Sequence, residues 1–196
     1  FNTVTFVGDS IASGLGIYAT GDQNAKYATY VSAGVDTFVN NVKVKNAVTK
    51  EQETPIEAIV ATQPDYVYLC YGLNDISIGY WDTKEEYVAE LLQVVADLKE
   101  ALPGVTVVVS SILPAQDPAF EKSSKWRNIP EWSEAVGAAC AENGIPFADN
   151  TEICQTYADL WQPDGIHVRP EFYPYWAANL ILAGLDSPAE AEDATN

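Results

Sequence analysis

The stretch Thr5-Phe6-Val7-Gly8-Asp9-Ser10-Ile11-Ala12-Ser13-Gly14 runs from β-branched and aromatic residues into a Gly-Asp-Ser corner, and then into small residues. That pattern is a strand ending where a helix begins. Ser10 stands at the corner. A serine there suits a helix N-cap. It equally suits a nucleophile, because a helix N-terminus gathers unpaired N–H groups and positive dipole that can support an oxyanion. The two roles make compatible demands, and the rest of the chain must choose between them.

Working outward, the strand-to-helix step repeats. Residues 3–7, 41–45, 66–71, 105–110 and 145–148 are short apolar runs that read as strands. Between them, residues 27–39, 55–62, 84–102, 131–143 and 171–183 carry helical spacing. In 27–39 the stripe is Tyr27, Val31, Val35 and Phe38; in 84–102 it is Tyr87, Val88, Leu91, Leu92, Val95 and Leu98. Gly144 follows one helix as a natural C′ residue. Strands alternating with such helices predict right-handed βαβ units and a three-layer α/β/α sandwich around a five-stranded, mostly parallel sheet. Functional residues then belong at the carboxyl ends of the strands. Both Gly8-Asp9-Ser10 and Gly72-Leu73-Asn74-Asp75 meet that condition.

The 196 residues suit one domain, placed at 1–185, with the small acidic stretch 186–196 read as a disordered tail or linker. The 28 acidic and 10 basic residues leave a net charge of −18, which repels phosphate backbones and argues against a nucleic-acid partner. No apolar run reaches the ~18 to 20 residues of a membrane span. The chain has no Met, and on that ground an extracellular or cell-surface protein with its leader removed is expected, a cytoplasmic one being the alternative. Cys70 reads as a core residue of a strand, and Cys140 and Cys154 are spaced so that they can pair. One histidine and scattered cysteines make no zinc set. Gly14-Leu15-Gly16-Ile17-Tyr18-Ala19 matches G-x-G-x-x-A but does not follow a strand directly, so no dinucleotide site is assigned. Gly8-Asp9-Ser10-Ile11-Ala12 lacks the second glycine of a G-x-S-x-G elbow.

The single histidine, His167, lies in Pro163-Asp164-Gly165-Ile166-His167. A tight turn at Gly165 lets the Asp164 carboxylate reach Nδ1 of the imidazole, leaving Nε2 to take a proton from a hydroxyl. A plain Asx-turn beside a half-buried histidine reads the same way. Asn74, just after a strand, can present its amide to a developing negative charge or can simply be a turn residue. Asp75 reads as a residue that holds that loop together.

Taken together, Gly-Asp-Ser near the amino end, Gly-Leu-Asn-Asp at 72–75 and Asp-Gly-Ile-His at 164–167 resemble the SGNH hydrolase superfamily, the GDSL esterases and lipases. The resemblance implies the flavodoxin-like fold of that superfamily and a serine esterase that needs no cofactor. It implies Ser10 as nucleophile, His167 as general base, Asp164 as its orienting partner, and Asn74 with the Ser10 N–H as oxyanion donors. The family's third donor is a glycine N–H after the second strand, in a context like Asn-x-Ala-Val-x-Gly. Here Lys45-Asn46-Ala47-Val48-Thr49-Lys50 puts Lys50 at that position. Lys50 donates if its φ is negative; if the position needs a positive φ, the loop has shifted and a donor is lost.

For the substrate, Tyr80, Trp81 and Trp126 are candidate aromatic platforms for a sugar, with packing over the core as the plainer alternative. Asp9 and Ile166, adjacent to the serine and the histidine, complete the substrate-facing candidates. Trp161 and the aromatic cluster at 172–176 flank the histidine block and are read as possible walls of the same cleft. The expected substrate is a short acyl ester, such as an acetyl group, on a carbohydrate or cell-wall glycan. A lipase, lysophospholipase or thioesterase of the same superfamily is the alternative. A carbohydrate-binding module that has lost catalysis is the alternative of another class, resting on Lys50 alone.

Overall fold

A computed structural model of the chain describes residues 3–19, 25–29, 32–45 and 49–186. Its strands are β1 (Val4–Gly8), β2 (Ala25–Thr29), β3 (Val44–Lys45), β4 (Gln52–Glu53), β5 (Tyr66–Cys70), β6 (Thr106–Ser110) and β7 (Phe147–Ala148). Five of them form one parallel sheet in the order β2-β1-β5-β6-β7, and β3 pairs with β4 in a separate antiparallel hairpin. The helices are α1 (Asp36–Val39), α2 (Pro55–Val60), α3 (Lys84–Ala101), α4 (Asp117–Phe120), α5 (Ile129–Glu142), α6 (Thr151–Thr156) and α7 (Tyr173–Leu185). Helices α1, α2, α3 and α5 pack together as one layer, and α6, α7 and a wide π-type turn at Leu15–Ala19 form the other.

The central strands β1, β5 and β6 read as unbroken apolar runs because helices cover both faces of a parallel sheet. The helices start where the sequence supplies caps. Thr83 Oγ1 accepts the Glu86 N–H at the head of α3. Thr54 and Glu57 form a reciprocal capping box before Pro55 of α2. Helix α3 buries Tyr87, Leu91, Val94, Val95 and Leu98, most of the expected stripe.

Two expectations are corrected. The segment 27–39 is not one helix. Ala25–Thr29 is an edge strand paired in register with β1, and only Asp36–Val39 is helical; Val31 lies outside the described residues. Conversely, 41–45 is not a sheet strand: Asn41 sits in a turn at φ 49°, and only Val44–Lys45 is extended, in the β3–β4 hairpin. Pairing with β1 decided the first case, since a short strand's intrinsic preference is weak beside tertiary hydrogen bonding.

Cys70, Cys140 and Cys154 are all buried free thiols, so the pairing offered for Cys140 and Cys154 is not made. Burial pushes both of those thiols up to about 12. Trp161, Phe172 and Trp176 are buried in the core. The long connection 114–130 contains α4 and a 3₁₀ turn at Ser124–Asn128, with the Arg127 guanidinium 4.2 Å from the centre of the Phe120 ring. No described helix is long and apolar enough to cross a membrane. The stretch from 187 onward, read as a tail, lies outside the described residues.

Candidate active site

The sheet is parallel, so its strands present their carboxyl ends together. Gly8 lies opposite Thr29 on one side and Cys70 on the other. The residues that follow β1, β2 and β5 therefore emerge side by side: Ser10 from β1, the turn 32–35 from β2 and Asn74 from β5.

After β1 the chain turns at once, and Asp9 holds the turn. Its Oδ1 accepts the Ile11 N–H at 2.9 Å and the Ala12 N–H at 3.3 Å. Ser13 Oγ donates to the Asp9 carbonyl and to Thr29 Oγ1, tying the turn to β2. Asp9 thus performs the capping that Ser10 was also suited to perform. Ser10 is half-buried, and its hydroxyl has no hydrogen-bond partner among the described residues. Asp9 is only 4% exposed, too enclosed to meet substrate, and burial pushes its carboxyl up to about 6. The Ala12 and Ile11 amides and the charge of His167 act against that rise.

The histidine is presented by a strapped turn. Asp164 Oδ1 accepts the Ile166 and His167 N–H groups at 3.0 Å each, and Oδ2 lies 2.6 Å from His167 Nδ1. Gly165 occupies φ 74°, and a Cβ there would come within 2.9 Å of Ala119 N and Gln116 O. Its carbonyl accepts the Gln116 N–H, Gln162 N donates to His167 O, and Trp161 pairs with Val168 across an isolated bridge. Partial burial pushes the Asp164 carboxyl up, but the bonds from His167 and from the Ile166 and His167 amides outweigh it and hold it at about 2. Nδ1 is committed to this carboxylate, which leaves Nε2 as the acceptor. The imidazole side chain is 47% exposed, and no hydrogen bond joins it to Ser10 among the described residues. Helix α7, which begins just after this turn, packs on the Leu15–Ala19 turn, and Gly14 gives room for the Tyr173 ring.

Asn74 sits at the head of a second π-type turn, Asp75–Gly79. Such turns are rare and concentrate at functional sites. Asn74 Nδ2 donates one hydrogen to Ala33 O at 2.9 Å, which fixes the amide's orientation and leaves a second hydrogen. Trp81 Nε1 donates to Asp75 Oδ1 and Trp126 Nε1 to the Leu73 carbonyl, both at 2.9 Å. These two tryptophans brace the loop 72–75 through their indole nitrogens. Tyr80 is exposed beside them, and Ile166 is half-buried within the histidine turn.

Lys50 is an exposed residue of the β3–β4 hairpin at φ 68°, and Asn46, Ala47 and Val48 lie outside the described residues. The sheet strand over 41–45 that was to lead to Lys50 does not exist. The segment after the true second strand reads Ser32-Ala33-Gly34-Val35, which sequence reasoning missed. Recognising Ala25–Thr29 as a strand is the signal that finds it. Gly34 N–H donates to Thr37 Oγ1 at a long 3.3 Å.

A cavity of about 850 Å³ opens between α5 and α6, lined by Ile112, Ile129, Phe147, Cys154 and Trp161 among others. It contains none of Ser10, Asn74 and His167. No group of three or more His, Cys, Asp and Glu side chains among the described residues can hold a metal ion.

Comparison with known proteins identifies the family and the fold. A family model for the GDSL-like lipase/acylhydrolase family matches residues 6–173. A GDSL-like lipase from Bacteroides thetaiotaomicron superposes with a TM-score of 0.73 at 16% identity, covering 95% of this chain and 89% of that one. The acetyl xylan esterase AlAXEase gives a TM-score of 0.67 at 16% identity over 92% and 98% of the two chains. The acetylxylan esterase Axe2 of Geobacillus stearothermophilus gives 0.63 at 15% over 93% and 94%. At these identities the likeness is one of fold. No curated protein sequence matches.

Proposed function

The chain belongs to the GDSL-like lipase/acylhydrolase family of carboxylic ester hydrolases, and from that premise we propose that it is a serine esterase working through Ser10, His167 and Asp164. The observation that carries the reading is the 2.6 Å Asp164–His167 pair, with the Ser10 hydroxyl left uncommitted after the carboxyl end of β1. His167 Nε2 takes the Ser10 proton as Oγ attacks the acyl carbonyl, and Asp164 stabilises the imidazolium that forms. Rotation of the exposed imidazole closes the gap to Oγ once substrate excludes water, since such bonds are often long in the free enzyme. The alcohol leaves with that proton, and water then releases the acyl group by the reverse sequence.

The oxyanion is met by the Ser10 N–H, the second Asn74 Nδ2 hydrogen, and the Gly34 N–H in the place assigned to Lys50. Gly34 gives up only its long bond to Thr37 Oγ1 to do so. The alternative of a binding module that has lost catalysis rests on Lys50 alone, and taking Gly34 as the third donor argues against it. A short acyl ester on a carbohydrate is the substrate class proposed, in keeping with the names of the two acetylxylan esterases that share the fold. Exposed Tyr80 is the aromatic candidate for a sugar face; Trp81 and Trp126 act as braces of the site.

Hydrolysis of p-nitrophenyl acetate by the wild type, Ser10→Ala and His167→Ala tests the reading. Each variant is expected to lose on the order of 10⁴ to 10⁶ in kcat. Wild-type turnover in Ser10→Ala rejects the assignment. A panel of acetylated xylan and of acyl esters of rising chain length then reads the substrate, with preference for long chains overturning the carbohydrate-ester proposal.

A further inference from the structure

Asp75 is fully buried, and its carboxylate is not used by the chemistry above. Oδ1 accepts two hydrogen bonds at 2.9 Å, one from the Val35 N–H and one from Trp81 Nε1. Oδ2 has no hydrogen-bond partner among the described residues. The residue before it, Asn74, donates to the carbonyl of Ala33. Consecutive residues of the β5 loop therefore grip the residues on either side of Gly34, residue 74 holding 33 and residue 75 holding 35. Between these two bonds Gly34 lies against the carboxylate itself. A Cβ on Gly34 would fall 2.7 Å from both Asp75 oxygens and 2.8 Å from its Cγ.

We infer that Asp75 is a positioning residue that locks the Gly34 segment to the Asn74 loop, so that the donors from β2 and β5 are held as one rigid unit. The inference rests on the esterase reading given above. A buried carboxylate with an unpartnered oxygen is costly to keep. A neutral or apolar residue of similar size would satisfy a merely structural site at lower cost. What the carboxylate supplies is one acceptor reaching two donors on different segments, across a gap only a glycine leaves open. Trp81 fixes the carboxylate from outside and Val35 carries the constraint into the β2 turn. Positioning matters here because a donor displaced by about 1 Å can cost on the order of 10²-fold in rate.

The test compares Asp75→Ala, Asp75→Asn and Asp75→Glu, each assayed with p-nitrophenyl acetate and with phenylboronic acid, whose tetrahedral serine adduct places an oxygen where the oxyanion develops. Asp75→Asn keeps an acceptor for Val35 at the same reach and is expected to stay close to wild type in kcat. Asp75→Ala is expected to lose on the order of 10²-fold in kcat with KM little changed, and to weaken boronate inhibition in parallel. Asp75→Glu keeps the charge but has no room beside Gly34, and it is expected to lose kcat in the same manner while remaining folded. This second variant decides the matter if the alanine variant does not fold. Wild-type kcat in Asp75→Glu, or loss in Asp75→Asn equal to that in Asp75→Glu, overturns the inference. A wild-type enzyme whose turnover does not need Ser10 would instead reject the esterase reading itself, so the two failures are distinguishable.

Discussion

Asn74 has two amide hydrogens, one spent on Ala33 O and one left to face substrate. Removing the side chain takes away a strut between loops and, on the proposed mechanism, an oxyanion donor. Asn74→Ala is therefore expected to lower kcat by on the order of 10² to 10³ with little change in KM, measured on p-nitrophenyl acetate. Lys50→Ala is the contrasting case, since the residue is an exposed part of a hairpin outside the main sheet. The substitution keeps the backbone N–H and removes only the side-chain cation. Its kinetics are expected to match the wild type, and a kcat loss like that of Asn74→Ala would give the Lys50 side chain a part in the site. At Ser10, the ambiguity between cap and nucleophile ends with Asp9. The preceding carboxylate takes the capping bonds, so the serine hydroxyl has no structural duty.

The turn 164–167 is a small element with a large share of the chemistry. Its shape depends on Gly165 at φ 74°, a region that side-chain-bearing residues adopt at a cost of about 1 kcal/mol or more. A Cβ there would also press on the backbone of Gln116 and Ala119, which anchors the turn through Gln116 N and Gly165 O. Gly165→Ala is expected to lower both the melting temperature and kcat, because the strain moves the carboxylate that orients His167. A variant that loses stability but retains full kcat would show that the turn tolerates the shift. The edge strand β2 teaches the converse about local signals. Its Tyr27 opens the helical spacing of 27–39 that continues into α1, yet the ladder to β1 makes Ala25–Thr29 a strand.

At the scale of the whole molecule, burial sets an unusual response to acid. Asp9 and Asp75 are both pushed up from 3.8 to about 6 by burial, so the folded state binds their protons more tightly than the unfolded chain. For such groups the stabilising contribution is complete below the unfolded value and is lost as pH rises through the folded one. Each is worth about 3 kcal/mol across that window. Asp164, held down at about 2, works in the opposite direction, and only below the unfolded carboxylate value. Melting temperature is therefore expected to rise as pH falls from about 7 towards 4.5. The net charge of −18 adds to the same trend, since protonation relieves self-repulsion. Asp9→Asn separates the two contributions: it should raise the melting temperature at pH 7 and flatten the profile. A flat profile in the wild type would contradict the burial argument.

The sequence by itself determined the α/β class, the long helices and the three blocks that carry Ser10, Asn74 and the Asp164–His167 pair. These are local signals: apolar period, caps, and turn chemistry within a few residues of the group concerned. Only the tertiary structure decided which segment is the second strand of the sheet. With that strand came the Ser32–Val35 turn and the bonds that Asn74 and Asp75 make to it. Those bonds depend on which donors meet which acceptors across 40 or 41 residues of chain, as Val35 meets Asp75 and Ala33 meets Asn74. Neither residue of such a pair carries a mark of the other in its own neighbourhood, because the hydrogen bond exists only once the strands between them have paired.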